Sequence, residues 1–411
     1  MVLDVNNVSQ KPNGKPLTTA ARIKSPRLSV PFKVLNRDLR LIFISNLIGA
    51  FGDGLYAYIL PKYMAEALGA SPVDVGILYA LTSLTAASTL LAAGAIADKY
   101  DRKKIMIAGW AAWLPAPLIF AFAKDWMQMI PGMILWGFWL GGPTSTAYIV
   151  TAADKNKLTL TFTIISSAWS FGYIFSPAIG GYMAEKLNMQ TVFLISFALY
   201  ALATTILAFI RSQHAELLEH KKLGDHPSTV QLLKTRKLMA ISAFFAATMF
   251  VIIMFRPFVP KFLADTYHYR DSEIGLLGSI AFAGSAFLGI ALGRFGDKYG
   301  KKFALAVQMM LCSFSLAVTL LTGNFYLLAL ASFLMGASYT VWPLMSAIIG
   351  PMAPEHIRAK WVSIPQTISM FASILAPYVG GILYSALPSL PFTTAILMTT
   401  ALTLISLVQK F

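Results

Sequence analysis

The sequence predicts an all-α polytopic membrane protein of twelve spans, one six-span unit used twice. Three observations predict it. Of 411 residues, 57% are hydrophobic and 12% charged, and the mean hydropathy is +0.65. That is too apolar for a soluble fold, and the apolar residues fall in blocks of about twenty, the length that crosses a bilayer core as helix. The second observation is a repeat: AGAIADKYDRKK, Ala93 to Lys104, returns as LGRFGDKYGKK, Leu292 to Lys302. Asp297 minus Asp98, Gly293 minus Gly94, Gly275 minus Gly76 and Pro260 minus Pro61 all give 199, and Pro377 minus Pro177 gives 200. The third is the placement of charge. Lys and Arg crowd the N-terminal tail, 99–104, 155–157, 211–237, 294–302 and 358–360, and the intervening turns hold one or two. That alternation is the positive-inside pattern, so the net charge of +15 reports topology and not nucleic-acid binding.

Taken in order, residues 1–38 read as a disordered, basic cytosolic tail whose cations meet lipid headgroups. They lack the apolar core and cleavage site of a secretory signal. Asn36, Arg37 and Asp38 start the helix of span 1, about Leu39 to Met64. Span 2 is about Pro72 to Ala97 and, after the basic turn, span 3 is about Lys104 to Ala123. Span 4 runs from about Met127 to Val150, span 5 from Leu158 to Met183 and span 6 from Met189 to Ile210, so that 39–210 forms the first unit. The charged stretch 211–237, with a Gly-Asp-His-Pro break, is the cytosolic linker. Spans 7 to 12 repeat the plan over 238–411, at about 238–264, 272–296, 303–322, 324–350, 361–386 and 389–409. An even number of spans puts both termini in the cytoplasm of a multi-pass plasma-membrane protein. The one cysteine, Cys312, lies in an apolar span as packing.

Gly94, Asp98, Lys99, Arg102 and Lys103, with Gly293, Asp297, Lys298, Lys301 and Lys302, resemble the GxxxDRxGRR-type loop signature of the major facilitator superfamily. The resemblance covers about Leu39 to Phe411. It implies two pseudo-symmetric six-helix bundles around a central cavity that opens alternately to either side. It further implies that Asp98 and Asp297 act as latches, accepting hydrogen bonds from the N-termini of spans 11 and 5. Their cations would hold headgroups or carboxylates, and Gly94 and Gly293 would allow close helix contact. Asp101 stands where the signature has glycine, whereas Gly300 keeps it. Gly172, Ser176, Pro177, Gly180 and Gly181 resemble a partial GxxxGPxxGG-type motif of exporters in this superfamily. An arginine common in span 4 of its proton-coupled drug exporters is missing, with Gly137 near its place.

Two ionisable residues interrupt apolar spans, Asp53 in span 1 and Arg256 in span 7. A charge near the bilayer centre costs about 2.5–3.5 kcal/mol, so such residues face a cavity or each other. At about 1.5 Å per residue Asp53 lies roughly 21 Å into its helix, beyond the midplane of a core about 30 Å thick. Arg256 sits about one turn from the position matched to Asp53. One reading pairs them, with Asp53 the proton-coupling group; the other has Asp53 bracing helices between Gly52 and Gly54 and Arg256 snorkelling to headgroups.

Substrate contacts are expected from Arg256, Tyr56, Asn46, Trp139, Trp169, Tyr339, Trp342 and Gln366, because aromatic faces suit flat or cationic organic molecules and the polar groups orient them. Helix bends are expected at Pro61, Pro177, Pro260 and Pro377. The linker histidines His214, His220 and His226 do not share a helix face, and no phosphate-binding GxxxxGK[ST] run exists, so neither metal, cofactor nor enzyme chemistry is expected. The expected function is secondary transport of a small organic solute by a monomer, as proton-coupled efflux of drug-like compounds. Uptake of an organic anion, and a non-transporting sensor on the same fold, are the alternatives.

Overall fold

The computed structural model describes residues 34–214, 232–349, 352 and 358–408. The expected tail and most of the linker lie outside them. The first half comprises α1 (Arg37–Ala57), α2 (Leu60–Ala67), α3 (Pro72–Lys99), α4 (Arg102–Trp113), α5 (Pro115–Phe122), α6 (Ile130–Trp136), α7 (Gly141–Ala152), α8 (Leu158–Lys186) and α9 (Met189–Leu207). The second comprises α10 (Arg236–Phe255), α11 (Phe258–Tyr267), α12 (Asp271–Tyr299), α13 (Lys301–Leu321), α14 (Phe325–Met335), α15 (Val341–Ile349), α16 (Arg358–Ala386) and α17 (Leu390–Val408).

Local chemistry sets the helix starts. Asn36 caps α1, its side chain accepting from Leu39 N at 2.9 Å, and Ser71 and Asp74 close a capping box on α3. Spans 1 and 7 break at matched places, between α1 and α2 and between α10 and α11, a few residues ahead of Pro61 and Pro260. A proline has no N–H for the carbonyl four residues back, so the Ala57 and Arg256 carbonyls lose that donor, and the Arg256 carbonyl takes Val259 N at 3.3 Å instead. Pro177 and Pro377 instead lie inside the unbroken helices α8 and α16.

Among the described residues eleven helical stretches are long and apolar enough to cross a membrane. The expected fourth span is present as two shorter helices, α6 and α7, parted at Gly137–Leu140. Side chains satisfy the exposed backbone there, as an interruption at membrane depth requires. Thr89 Oγ1 accepts from Trp139 N at 2.9 Å, and the Trp113 indole donates to the Phe138 carbonyl.

Repeat symmetry governs the packing. In the first half α1 packs on α8 and α9, and in the second α10 packs on α16 and α17. The halves meet through α3 against α16 and α8 against α12, two contacts that the repeat exchanges. At the first, a Cβ on Gly76 would lie 2.5 Å from the Pro377 carbonyl oxygen; at the second, Gly275 meets the Pro177 carbonyl in the same way. Only glycine allows backbones this close, and such close packing holds helices together where lipid removes the hydrophobic drive.

The face opposite the basic turns is shut. Lys62 Nζ on α2 lies 2.7 Å from Asp271 Oδ1 on α12 and 2.8 Å from Glu66. Glu185 receives the Ser272 hydroxyl and lies 3.6 Å from Arg270, and Ser279 Oγ accepts from Ala178 N at 2.9 Å. Lys261, the repeat partner of Lys62, stays within its own half on Asp265 at 2.8 Å.

The basic face differs. Asp297 is exposed and makes no hydrogen bond or ion pair among the described residues. The N-terminus of α8, where it was expected to latch, has no side-chain cap. A Cβ on Gly293 would meet nothing within 4 Å. The surroundings of Gly94 and the side chains of Asp98 and Lys99 lie outside what is described. Arg102 serves its own half, donating to Thr151 Oγ1 and Gln213 Oε1 at 2.8 Å each. Lys301 donates to the Ala347 carbonyl at 2.6 Å, Lys298 and Lys302 lie over the rings of Tyr299 and Phe303, and Lys103 is part of the α4 cap. Asp101 needs no left-handed turn: at φ −57° it caps α4, accepting from Lys103 N at 2.9 Å. Gly300 adopts φ +107°.

Candidate transport site

Asp53, 4% exposed, sits on α1 one turn before the helix breaks. Its Oδ1 accepts from the Trp136 indole at 2.7 Å, from the Tyr200 hydroxyl, and from the Tyr56 hydroxyl at 3.2 Å. Its Oδ2 accepts from the Tyr173 hydroxyl. Hydrogen bonds to a charged group are worth about 1.5–3 kcal/mol each, so this shell is of the size needed to hold a carboxylate that its span disfavours by about 2.5–3.5 kcal/mol. The tyrosines can donate or accept, but the indole can only donate. Oδ1, facing the indole, is the poorer place for a proton, and Oδ2, facing one reversible hydroxyl, is the better.

Arg256 stands across the inter-half boundary, at the α10–α11 break. Its guanidinium lies 4.0 Å from the Tyr339 ring centroid, and it donates weakly to the Ser338 carbonyl at 3.4 Å. Desolvated cation–π contacts are worth about 2 kcal/mol. Among the described residues Arg256 Nε and the Tyr58 hydroxyl are buried without a hydrogen-bond partner. Asp53 and Arg256 form no ion pair among the described residues, and Arg256 reaches inward to an aromatic face instead of out to headgroups.

A cavity of about 380 Å³ lies between them, walled by Tyr58, Trp136 and Tyr173 from the first half and Arg256, Phe282 and Tyr339 from the second. Phe282 bridges the halves, 4.7 Å from Tyr173 and 4.9 Å from Tyr339 between ring centroids. Trp136 and Tyr173 are thus both cavity wall and Asp53 donors. A solute pressed against them acts directly on the carboxylate's hydrogen bonds.

The profile of the Major Facilitator Superfamily matches residues 42–259 and 239–411. The chain belongs to the major facilitator superfamily. It is a multi-pass membrane transporter, a family outside the enzyme classes, whose members move small molecules. Among curated relatives it is similar to the "Multi-drug resistance efflux pump PmrA homolog" of Lactococcus lactis subsp. lactis, 25% identical over 91% of this chain and 94% of that one. It is also similar to "Quinolone resistance protein NorA" of Staphylococcus aureus, 23% identical over 92% and 97%. In fold it resembles nucleoside transporter NupG, with a TM-score of 0.74 at 16% identity over 91% of this chain and 100% of that one. A bacterial homolog of the human lysosomal transporter Spinster, inward-facing and occupied, gives 0.69 at 15% identity over 90% and 95%.

Within this superfamily frame the expected contact residues divide. Arg256 and Tyr339 line the inter-half cavity. Tyr56 lies behind it, fully buried on Asp53 and 3.1 Å from the Tyr200 hydroxyl. Asn46, Trp139 and Trp169 line a separate pocket inside the first half. Trp342 packs on the second-half core, and Gln366 donates to Ser346 Oγ at 3.3 Å; neither lines these two cavities. Gly137 has no room for the arginine of related exporters, since even a Cβ would lie 2.5 Å from the Thr82 carbonyl oxygen. The exporter-like motif faces α1 and α12, with Gly172 against Ala50 and Phe51, Gly180 against Leu55 and Gly181 against Asp271. Sequence reasoning missed Tyr200, a donor to Asp53, and Phe282, the bridge between halves. Their only signal was an aromatic ring in an apolar span.

Proposed function

We propose that this transporter exports small, flat organic compounds from the cytoplasm in exchange for protons, with Asp53 carrying the proton. One observation carries the reading: Trp136 and Tyr173 hydrogen-bond Asp53 and also wall the inter-half cavity. Further support comes from relatives named as multidrug efflux and quinolone resistance proteins.

The positive-inside pattern makes the basic face cytosolic, with both termini on that side of a plasma membrane. The geometry is then inward-facing, with the far face held shut by Lys62–Asp271 and the glycine contacts. In the proposed cycle Asp53 starts protonated on Oδ2, and a cationic solute enters from the cytosol, stacks on Tyr173, Phe282 and Tyr339, and by its charge favours the ionised carboxylate, which the surrounding donors then hold. The proton leaves Oδ2 toward the cytosol, the Asp98 and Asp297 loops latch, and the far face opens. Rebinding of a proton from outside releases the solute and resets the carrier. The transport unit is a monomer of two six-helix bundles, 39–210 and 238–411, and its basic loops sit among lipid headgroups.

The test is transport in proteoliposomes under an imposed pH gradient. Asp53→Asn is expected to lose gradient-driven movement and to keep gradient-independent exchange of solute across the membrane. Undiminished gradient-driven export in that variant rules out Asp53 as the carrier.

The unpartnered Arg256 Nε favours a second reading, uptake of an organic anion held by the guanidinium. Loss of anion binding alone in Arg256→Ala, together with absent efflux of cations, selects it.

A further inference from the structure

We infer that the first half holds a second binding site, separate from the inter-half cavity, for a small planar organic cation. The pocket encloses about 280 Å³. That is just below the range of roughly 300–1,000 Å³ found for ligand pockets, which suits a small fused two- or three-ring molecule. Four indoles build it. Trp110 and Trp113 come from α4, Trp139 from the break in span 4 and Trp169 from α8, with neighbouring ring centroids 5.4–6.4 Å apart.

The indoles are seated by design of the backbone. A Cβ on Gly49 would enter the Trp110 ring, and one on Gly142 would lie 2.6 Å from Trp139 Nε1. The Trp113 N–H is fixed on the Phe138 carbonyl. The break at Gly137–Leu140 therefore has a product: it carries Trp139, 39% exposed, out of the helix and onto the pocket.

The lining decides the ligand class. It contains no lysine, arginine or histidine, so an anion would find no cation there. Indole faces are electron-rich and attract cations. The uncommitted side chains of Asn46, Ser145 and Ser166 supply hydrogen-bonding groups at the same wall.

This pocket also abuts the proton site. Trp169 stacks on Tyr173 at 6.2 Å and 22°, and Trp110 meets Tyr200 at 5.9 Å. Both tyrosines donate to Asp53. An occupant that shifts Trp169 or Trp110 is one ring away from the carboxylate, while the inter-half cavity lies on the other side of Tyr173.

The test titrates the purified full-length protein with proflavine, a planar tricyclic monocation, by fluorescence polarisation. Wild type is expected to show two classes of site. Trp139→Ala, which removes a wall, and Ser145→Phe, which fills the pocket, should each weaken one class at least tenfold. Trp139→Phe should keep it, and Arg256→Ala should affect only the other class. A single class that ignores both pocket variants overturns the inference, as does equal binding of the uncharged analogue acridine to this class. Ser145→Phe keeps all four indoles, so it stands as the test if Trp139→Ala fails to fold. No gradient is present, so loss of driven export with proflavine binding intact would sink the transport reading alone, and the reverse result the pocket alone.

Discussion

Trp136 donates its indole N–H to Asp53 at 2.7 Å while its ring forms part of the wall between the halves. One side chain thus touches both the proton site and the solute's path. Trp136→Phe keeps the ring and removes the N–H. Losing one hydrogen bond to a buried charge, worth about 1.5–3 kcal/mol, should lower the rate of gradient-driven export roughly tenfold or more, with KM changed less than threefold. Initial-rate measurements in proteoliposomes check this; a large rise in KM at unchanged rate would make Trp136 a solute contact alone.

The far face should depend on Lys62 and not on its repeat partner. Lys62 crosses to Asp271, whereas Lys261 stays on Asp265. In a Cys312→Ser background with Ser279→Cys as a buried reporter, Lys62→Ala should speed thiol labelling about fivefold, for an ion pair worth about 1 kcal/mol. Lys261→Ala should leave the labelling rate unchanged.

Glycines on α12 should separate by position. Gly275 is pressed against the Pro177 carbonyl, and Gly293 has open space. Gly275→Ala should destabilise the structure by about 1–3 kcal/mol, the usual cost of overpacking, read as a lower melting temperature. Gly293→Ala should melt as wild type. If the basic face closes during transport, as proposed, Gly293→Ala should nevertheless slow the cycle.

Much of this architecture was legible because it is written in strong, local chemistry. Charge cannot enter lipid cheaply, so Asp53 and Arg256 stood out of their spans, and the 199-residue offset fixed which glycines and prolines correspond. The partners were harder to read. Helix periodicity tells which residues share a face but not which helix meets it, so Tyr200 looked like packing and Asp53 was set opposite Arg256. Arg256 lies within the break that Pro260 imposes, and there it meets the ring of Tyr339 and no carboxylate among the described residues. The interruption of span 4 had a signal in Pro143, which leaves the Trp139 carbonyl without its ladder donor as Pro61 does for Ala57, but not in what satisfies it. It depends on Thr89 and Trp113, distant in sequence, to satisfy its backbone.

Asp101 makes a pH-dependent tie on the basic face. Burial pushes its carboxyl up, but hydrogen bonds from Ser212 and from the backbone N–H groups of Gln213 and Lys103, with His214 beside it, outweigh burial and hold it below its ordinary 3.8. A depressed value stabilises the ionised, folded form: the contribution is complete above the ordinary value and is lost as pH falls through the folded one. Asp101→Ala should therefore melt lower than wild type by a constant margin from pH 8 to about 5, and the margin should close under stronger acid. Equal melting of the two proteins at pH 7 would contradict the tie.

Proton release on solute binding tests the coupling at Asp53 most directly. Purified protein in weakly buffered solution is mixed with a transported cation, and the pH change is followed with an indicator dye. At saturation wild type should release about one proton per protein molecule, the stoichiometry of a single carboxyl giving up its proton, and Asp53→Asn should bind the cation and release none. Equal release from both proteins would contradict the account and place the proton elsewhere.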